Sequence, residues 1–147
     1  MKIIGIASVG GHWVQLLRVV MAFKKEELIF ISTSPDFAVT VPGKKFYHIA
    51  DGSSWNKFKL LRSFWNAYNI VMKEKPDVIV TTGAAPGLMG LFAGKILGAK
   101  TIWIDSIANV EKISLSGRIA LWFADRVYTQ WPDLASSKVT YAGNVLI

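Results

Sequence analysis

Apolar residues in this chain fall in short β-branched runs that alternate with longer stretches of helical period. The first run, Lys2-Ile-Ile-Gly-Ile-Ala7, reads as a strand over Ile3–Ala7, and Trp13–Phe23 reads as the helix after it. Further strands are expected at Glu27–Ser32, Lys45–Ile49, Asp77–Thr81, Thr101–Asp105, Arg126–Gln130 and Val139–Ala142. Helices are expected at Trp55–Lys75, at Gly87–Leu97 (ended by Gly98) and at Ser116–Phe123. Strands rich in Ile and Val with helices between them imply a parallel sheet covered on both faces. There is no repeat, no low-complexity tract and no linker. The pattern predicts one Rossmann-like α/β domain over residues 1–147.

A chain of 147 residues is long enough to bury a core in one domain. No apolar run reaches the roughly 18 residues a spanning helix needs. Met1-Lys2 leads directly into the first strand, which is not a signal peptide. Cysteine is absent, so disulfides and thiolate metal sites are excluded. His12 and His48 are far apart, so neither a metal nor a cofactor is expected. Together these features favour the cytosol. The formal net charge of +7 calls for an anionic partner: nucleic acid, lipid headgroups or a phosphorylated substrate. Helix-turn-helix, zinc-finger and RRM patterns are all missing, so no nucleic-acid partner is expected.

Ligands of such sheets bind at the carboxyl ends of the strands. Three polar or glycine-rich clusters fall on that rim. Gly10, Gly11 and His12 follow the first strand, Thr82-Gly-Ala-Ala-Pro-Gly87 follows the Asp77–Thr81 strand, and Asp105, Ser106 and Asn109 follow the Thr101–Ile104 run. A glycine pair at a strand-to-helix turn lets the backbone approach a ligand, and the helix start aims its amides at an anion. Histidine is the residue type that exchanges a proton near neutral pH. A tight βα turn with a hydrogen-bonded histidine would give the same pattern. The G-x-G-x-x-G fingerprint and the P-loop ending are both missing, which disfavours NAD binding and ATP hydrolysis.

Gly10-Gly11-His12 with Gln15-Leu16-Leu17 behind it resembles the PssD-type subunits of bacterial exopolysaccharide glycosyltransferases. The resemblance strengthens over Ile104-Asp-Ser-Ile-Ala-Asn-Val-Glu-Lys-Ile-Ser-Leu-Ser-Gly117 and Ala124-Asp-Arg-Val-Tyr-Thr-Gln-Trp-Pro132. These blocks are also similar to the eukaryotic membrane-anchoring subunit of the transferase that makes dolichol-linked chitobiose. A similar glycine-glycine-histidine turn occurs in MurG, a single-chain cousin. The resemblance implies the amino-terminal, acceptor-binding half of a GT-B fold, with the donor-binding half on a separate polypeptide. Eukaryotic relatives usually carry Glu and Arg where this chain has Asp105 and Asn109. They often carry an amino-terminal anchor as well, whereas this chain begins at its first strand.

The resemblance implies an inverting transferase that moves a sugar from a UDP-sugar to a polyprenyl-diphosphate-linked saccharide. The acceptor diphosphate is expected on Gly10, Gly11, His12, Gly83 and Ser106. His12 or Asp105 is expected to take the proton of the attacking hydroxyl, histidine being the better placed type because a carboxylate needs burial to become basic enough. No Asp-x-Asp motif is present, in keeping with metal-free chemistry. The donor-binding subunit is expected to dock near Asn109, Ser116, Trp131 and Ile147, where Trp122 and Phe123 are further natural anchors. The alternative is a non-catalytic membrane adaptor that only recruits the catalytic subunit. A small nucleotide-binding protein of unrelated function is a third reading.

Residues Trp55–Lys75 bear on the membrane. On a helical wheel Phe58, Leu60, Leu61, Phe64, Trp65, Ala67, Tyr68, Val71 and Met72 fill an arc of roughly half the circle. Either the whole arc packs on the sheet, or one edge meets lipid. The expected surface is Trp55, Phe58 and Trp65 against lipid, with Lys57, Lys59 and Arg62 on anionic headgroups. The expected location is peripheral, on the cytoplasmic face of the plasma membrane.

Overall fold

The structure, a computed structural model, describes residues 1–51 and 56–146. Trp55 and Ile147, expected at the membrane and at the partner interface, lie outside the described residues. Seven parallel strands form one sheet: β1 Lys2–Ala7, β2 Glu27–Ser32, β3 Lys45–His48, β4 Val78–Thr81, β5 Lys100–Ile104, β6 Arg126–Thr129 and β7 Thr140–Tyr141. The helices are α1 Gly11–Val19, α2 Lys57–Glu74, α3 Ala84–Ile96 and α4 Leu115–Ala120. All seven expected strands form, with ends shifted by a residue or two. The first helix turns 3₁₀ over Val20–Phe23, and the polar segment after β2 winds into a 3₁₀ helix at Pro35–Thr40.

The strand order is β3-β2-β1-β4-β5-β6-β7. The chain steps one way from β1 to β3 and the other way from β4 onward, so the order reverses between β1 and β4. The crevice at such a reversal, beyond the strand carboxyl ends, is where open α/β sheets take ligands. Ile6 of β1 is in register with Thr81 of β4, and Thr81 with Trp103 of β5. The three rim clusters therefore leave adjacent strands.

Strand alternation splits the core between the two faces. Ile3, Ala7, Leu28, Phe30 and Val80 pack with Trp13 and Leu16 of α1. Ile4, Ile6, Ile29, Ile31 and Ile79 pack with Val71, Leu88, Leu91 and Ala120 of α2, α3 and α4. Helix α2 meets the protein through small residues. Ser63, Ala67 and Val71 are buried on it, and a Cβ at Gly90 of α3 would sit 3.7 Å from the Ala67 Cβ. The reading in which the whole apolar arc packs on the sheet is thereby corrected, because Phe58, Leu61, Trp65 and Met72 stay exposed. Asn56 caps the helix, its Oδ1 accepting from the Phe58 and Lys59 amides at 3.0 and 3.2 Å.

The far edge is fastened at Glu74, the last residue of α2. Its buried carboxylate accepts from the Tyr47 hydroxyl and from Lys45 Nζ at 3.1 Å, while Lys2 Nζ donates to its backbone carbonyl at 2.8 Å. The Tyr47 hydrogen bond, then Lys45, holds the Glu74 carboxyl below the usual range, and the same bond pushes Tyr47 up to about 12. Asp125 plays a similar part between α3 and β5. Lys95 Nζ reaches it at 2.7 Å, and the Thr101 amide and hydroxyl reach it at 2.9 and 3.0 Å. These donors, Lys95 first, hold it at about 2.

Candidate active site

His12 and Thr82 meet because β1 and β4 are neighbours. The His12 Nδ1 lies 3.0 Å from the Thr82 carbonyl oxygen, and Thr82 Oγ1 donates to the His12 carbonyl at 2.6 Å. A carbonyl only accepts, so Nδ1 carries a proton, and in the neutral ring Nε2 is the nitrogen with the lone pair. The ring lines a cavity of about 270 Å³ shared with Gly83, Asp105, Ser106, Asn109 and Ser116. The structure thus brings four of the six expected diphosphate and base positions, His12, Gly83, Asp105 and Ser106, to one cavity. Gly10 and Gly11 do not line it and sit exposed at the start of α1, next in sequence to His12.

Both helices that start here have bare ends. The N-caps of α1 and α3 are Gly10 and Gly83, and neither helix has a side chain capping its first amides. Such ends carry partial positive charge toward whatever lies in front of them. Gly83 is dictated by sterics: its φ is +135°, and a Cβ there would stand 2.7 Å from the His12 Cε1 and Nδ1. Gly11 differs. A Cβ on it would meet only the Gln15 Nε2, at 3.9 Å, so the fold does not require glycine there.

Asp105 is 1% exposed and saturated with donors. Its Oδ1 accepts from Trp103 Nε1 at 3.0 Å and Ser114 Oγ at 2.6 Å, and its Oδ2 accepts from Asn109 Nδ2 at 3.1 Å and the Ser114 amide at 3.0 Å. A carboxylate offers about four lone-pair positions, and four donors take them. The geometry makes Asp105 the organiser of the loop from 105 to 114 and weighs against its expected role as base. The Leu115-Ser-Gly117 motif follows from this. Ser114 caps α4 by accepting from the Gly117 amide at 3.0 Å, and a Cβ at Gly117 would come within 2.7 Å of Asp105 Oδ1.

Two buried amides were not among the expected site residues. Gln15 Nε2 donates to Ser106 Oγ at 3.2 Å, and its Oε1 accepts from the Ile107 amide at 3.0 Å. Gln130 Nε2 donates to Gln15 Oε1 at 2.7 Å and to the Asp105 carbonyl at 2.9 Å. Both glutamines stand inside the motif blocks, and that position was the one signal that could have singled them out.

Three of the residues expected to dock a partner also brace the fold, Ser116 buried and Asn109 and Trp131 half-buried. Asn109 holds Asp105, Ser116 is buried against the cavity, and Trp131 donates its Nε1 to the Ile107 carbonyl at 2.7 Å. Trp122 is the free tryptophan of this region, 91% exposed. Among the described residues no group of three or more His, Cys, Asp or Glu could hold a metal ion.

A family model described as "Oligosaccharide biosynthesis protein Alg14 like" matches residues 38–145. The chain belongs to the Alg14-like family. The UDP-N-acetylglucosamine transferase subunit alg14 of Schizosaccharomyces pombe is 41% identical over 92 residues, covering 56% of this chain and 40% of that protein. The rat subunit ALG14 is 26% identical over 175 residues, 96% of this chain and 81% of its own. The chain therefore spans well under half of the fission-yeast relative. Among solved structures, Acinetobacter baumannii MurG matches 97% of this chain with a TM-score of 0.80 at 16% identity, over 46% of its own length. At that identity the likeness shows the fold, an α/β architecture shared with about half of a longer protein.

Proposed function

We propose that this Alg14-like chain is the acceptor-binding, membrane-associating subunit of a two-polypeptide inverting glycosyltransferase. It would serve polysaccharide biosynthesis of the PssD type, moving a sugar from a UDP-sugar to a polyprenyl-diphosphate-linked saccharide. The observation that carries this reading is the His12 imidazole, held through Nδ1 on the Thr82 carbonyl beside two uncapped helix starts. The acceptor diphosphate would lie against the first amides of α1 and α3, near Gly10, Gly11, Gly83 and Ser106. The acceptor hydroxyl would attack the anomeric carbon as its proton passes to His12 Nε2. The new C–O bond forms opposite the breaking one, the electron pair leaves with UDP, and the anomeric centre inverts. Asp105 positions the loop that closes the cavity.

The donor-binding half would be a second polypeptide facing this rim, a reading supported by relatives that are named as transferase subunits. The membrane surface would be α2 and its neighbours. Phe58 is 84% exposed and Trp65 51%, and with Leu61 they form one stripe at helical spacing, flanked by Lys57, Lys59 and Arg62. Aromatic contacts continue it through Phe64–Phe92 at 5.8 Å and Phe92–Phe123 at 5.2 Å. An exposed apolar patch of this kind marks an interaction surface, and basic residues around it suit anionic lipid at about 1 kcal/mol each. The proposed contact is peripheral, on the cytoplasmic face; among the described residues no helix is long and apolar enough to cross a membrane.

The test is transfer from a panel of UDP-sugars to a short-chain polyprenyl-diphosphate saccharide, with and without a donor-binding half. Turnover is expected only with both polypeptides, and robust turnover by this chain alone would overturn the reading. One observation favours the adaptor reading: the Asp105 carboxylate has no lone pair left for chemistry. That reading requires His12 to be dispensable.

A further inference from the structure

The segment 142–146 crosses the carboxyl ends of β5 and β6 and is latched at one residue. The Val145 amide donates to Gln130 Oε1 at 3.0 Å, and Arg18 Nη1 donates to the Val145 carbonyl at 2.7 Å. A cavity of about 200 Å³, bounded by Val19, Ile104, Tyr128 and Val145, lies beneath the segment. Its seat rests on these hydrogen bonds more than on dense packing.

Gln130 is 2% exposed, and each end of its amide is committed. Oε1 takes Val145, and the two Nε2 hydrogens go to the Asp105 carbonyl and Gln15 Oε1. Turning the amide over would set donor against donor at Val145 and acceptor against acceptor at Asp105 and Gln15. The direction continues through Gln15, which accepts from the Ile107 amide and donates to Ser106 Oγ, and Ser106 Oγ accepts from the Ala108 amide at 3.2 Å. With Trp131 Nε1 on the Ile107 carbonyl, this chain of bonds fixes the backbone from Asp105 to Ala108. That backbone forms one wall of the His12 cavity. Buried amides with every bond made hold one geometry and lose it together.

We infer that Gln130 is a positioning residue that couples the seating of the 142–146 segment to the shape of the acceptor cavity. The inference rests on the acceptor-site reading only for what the cavity binds. Anything that lifts or clamps Val145, such as a subunit docked there, would loosen or set the 105–108 wall through this one side chain. Binding at the segment and binding in the cavity would then favour each other to the same degree.

The experiment is a double-mutant cycle read by amide hydrogen exchange at Ile107 and Ala108 in the full chain. The variants are a chain ending at Asn144, Gln130→Leu, and the two combined. Truncation is expected to speed exchange at both amides by about tenfold or more, and to add nothing further once Gln130 is Leu. No effect of truncation, or the same effect in both backgrounds, would overturn the inference. If Gln130→Leu does not fold, Arg18→Ala replaces it, because Arg18 is exposed and lies outside the cavity. It should speed exchange at the same two amides, and unchanged exchange there would also overturn the inference. A parallel titration with a soluble short-chain polyprenyl-diphosphate sugar separates the two claims. Failure of the probe to bind the parent chain sinks the acceptor reading, while the exchange cycle still decides the coupling.

Discussion

His12 and Thr82 hold each other twice, ring nitrogen to carbonyl in one direction and hydroxyl to carbonyl in the other, at 3.0 and 2.6 Å. The pair joins the starts of α1 and α3 and fixes the imidazole that lines the cavity. Gly83→Ala would drive a methyl group to 2.7 Å from the imidazole at a φ that side chains avoid. The ring should be pushed out of place at a stability cost of about 1–3 kcal/mol. Thr82→Val removes only the hydroxyl bond, worth about 1 kcal/mol. Transfer by the reconstituted pair should therefore fall much further with Gly83→Ala than with Thr82→Val. Thermal unfolding of both variants should show that the fold survives. Equal transfer by both variants would contradict the placement of the ring.

The acid limb of stability should belong to Asp125 and Glu74. Both carboxyls are held below their ordinary values in the fold, Asp125 at about 2 by Lys95 and Thr101, and Glu74 by Tyr47 and Lys45. A depressed carboxyl stabilises the fold above its unfolded pKa, and that contribution is lost as pH falls through the folded value. For Asp125 the window runs from 3.8 down to about 2. Asp125→Asn should flatten the fall of stability across that window in denaturant titrations at stepped pH. An unchanged slope would count against the assignment. Tyr47 works in the opposite direction: raised to about 12, it helps below its ordinary 10.0 and ceases to help as pH climbs through 12.

Much of this was legible in the sequence, for reasons particular residues make plain. The Ile-rich run of β1 and the Gly10-Gly11 turn fix where a strand ends and a helix begins. A parallel sheet then sends His12, Gly83 and Asp105 to the same rim. The wheel of α2 left both readings open because its apolar arc is wide, and what chooses the buried side is small-residue packing such as Ala67 against Gly90, a contact between distant segments. Asp105 reads equally as base or brace until Trp103, Asn109 and Ser114 are seen around it. Gln15 and Gln130 stand 115 residues apart and become partners only once β1 and β6 share a rim.

The stripe on α2 gives a lipid-binding prediction. Replacing Phe58, Leu61 and Trp65 with serine should abolish sedimentation with anionic vesicles while leaving the fold intact, since all three are exposed. Replacing Lys57, Lys59 and Arg62 with glutamine should weaken binding and reduce its salt dependence, because exposed charges are screened beyond about 8–10 Å at physiological ionic strength. Sedimentation equal to the parent in both sets would move the membrane surface elsewhere.

Gly11 separates folding from binding. A Cβ there meets only the Gln15 Nε2, at an ordinary 3.9 Å, so Gly11→Val should fold normally. If the acceptor diphosphate lies against the first amides of α1, the valine stands in its way, and affinity for a polyprenyl-diphosphate saccharide should drop by about tenfold or more. Normal affinity in the folded variant would place the diphosphate elsewhere.

The central claim is that the His12 Nε2 takes the acceptor proton. The most direct measurement is the turnover number of His12→Ala in a reconstituted pair with a donor-binding half, at saturating acceptor and with complex formation verified. Loss of a general base predicts a fall of about 10²–10⁴-fold in kcat with the complex intact. Turnover within about twofold of the parent in the intact complex would contradict the account and leave this chain an adaptor for chemistry carried entirely by its partner.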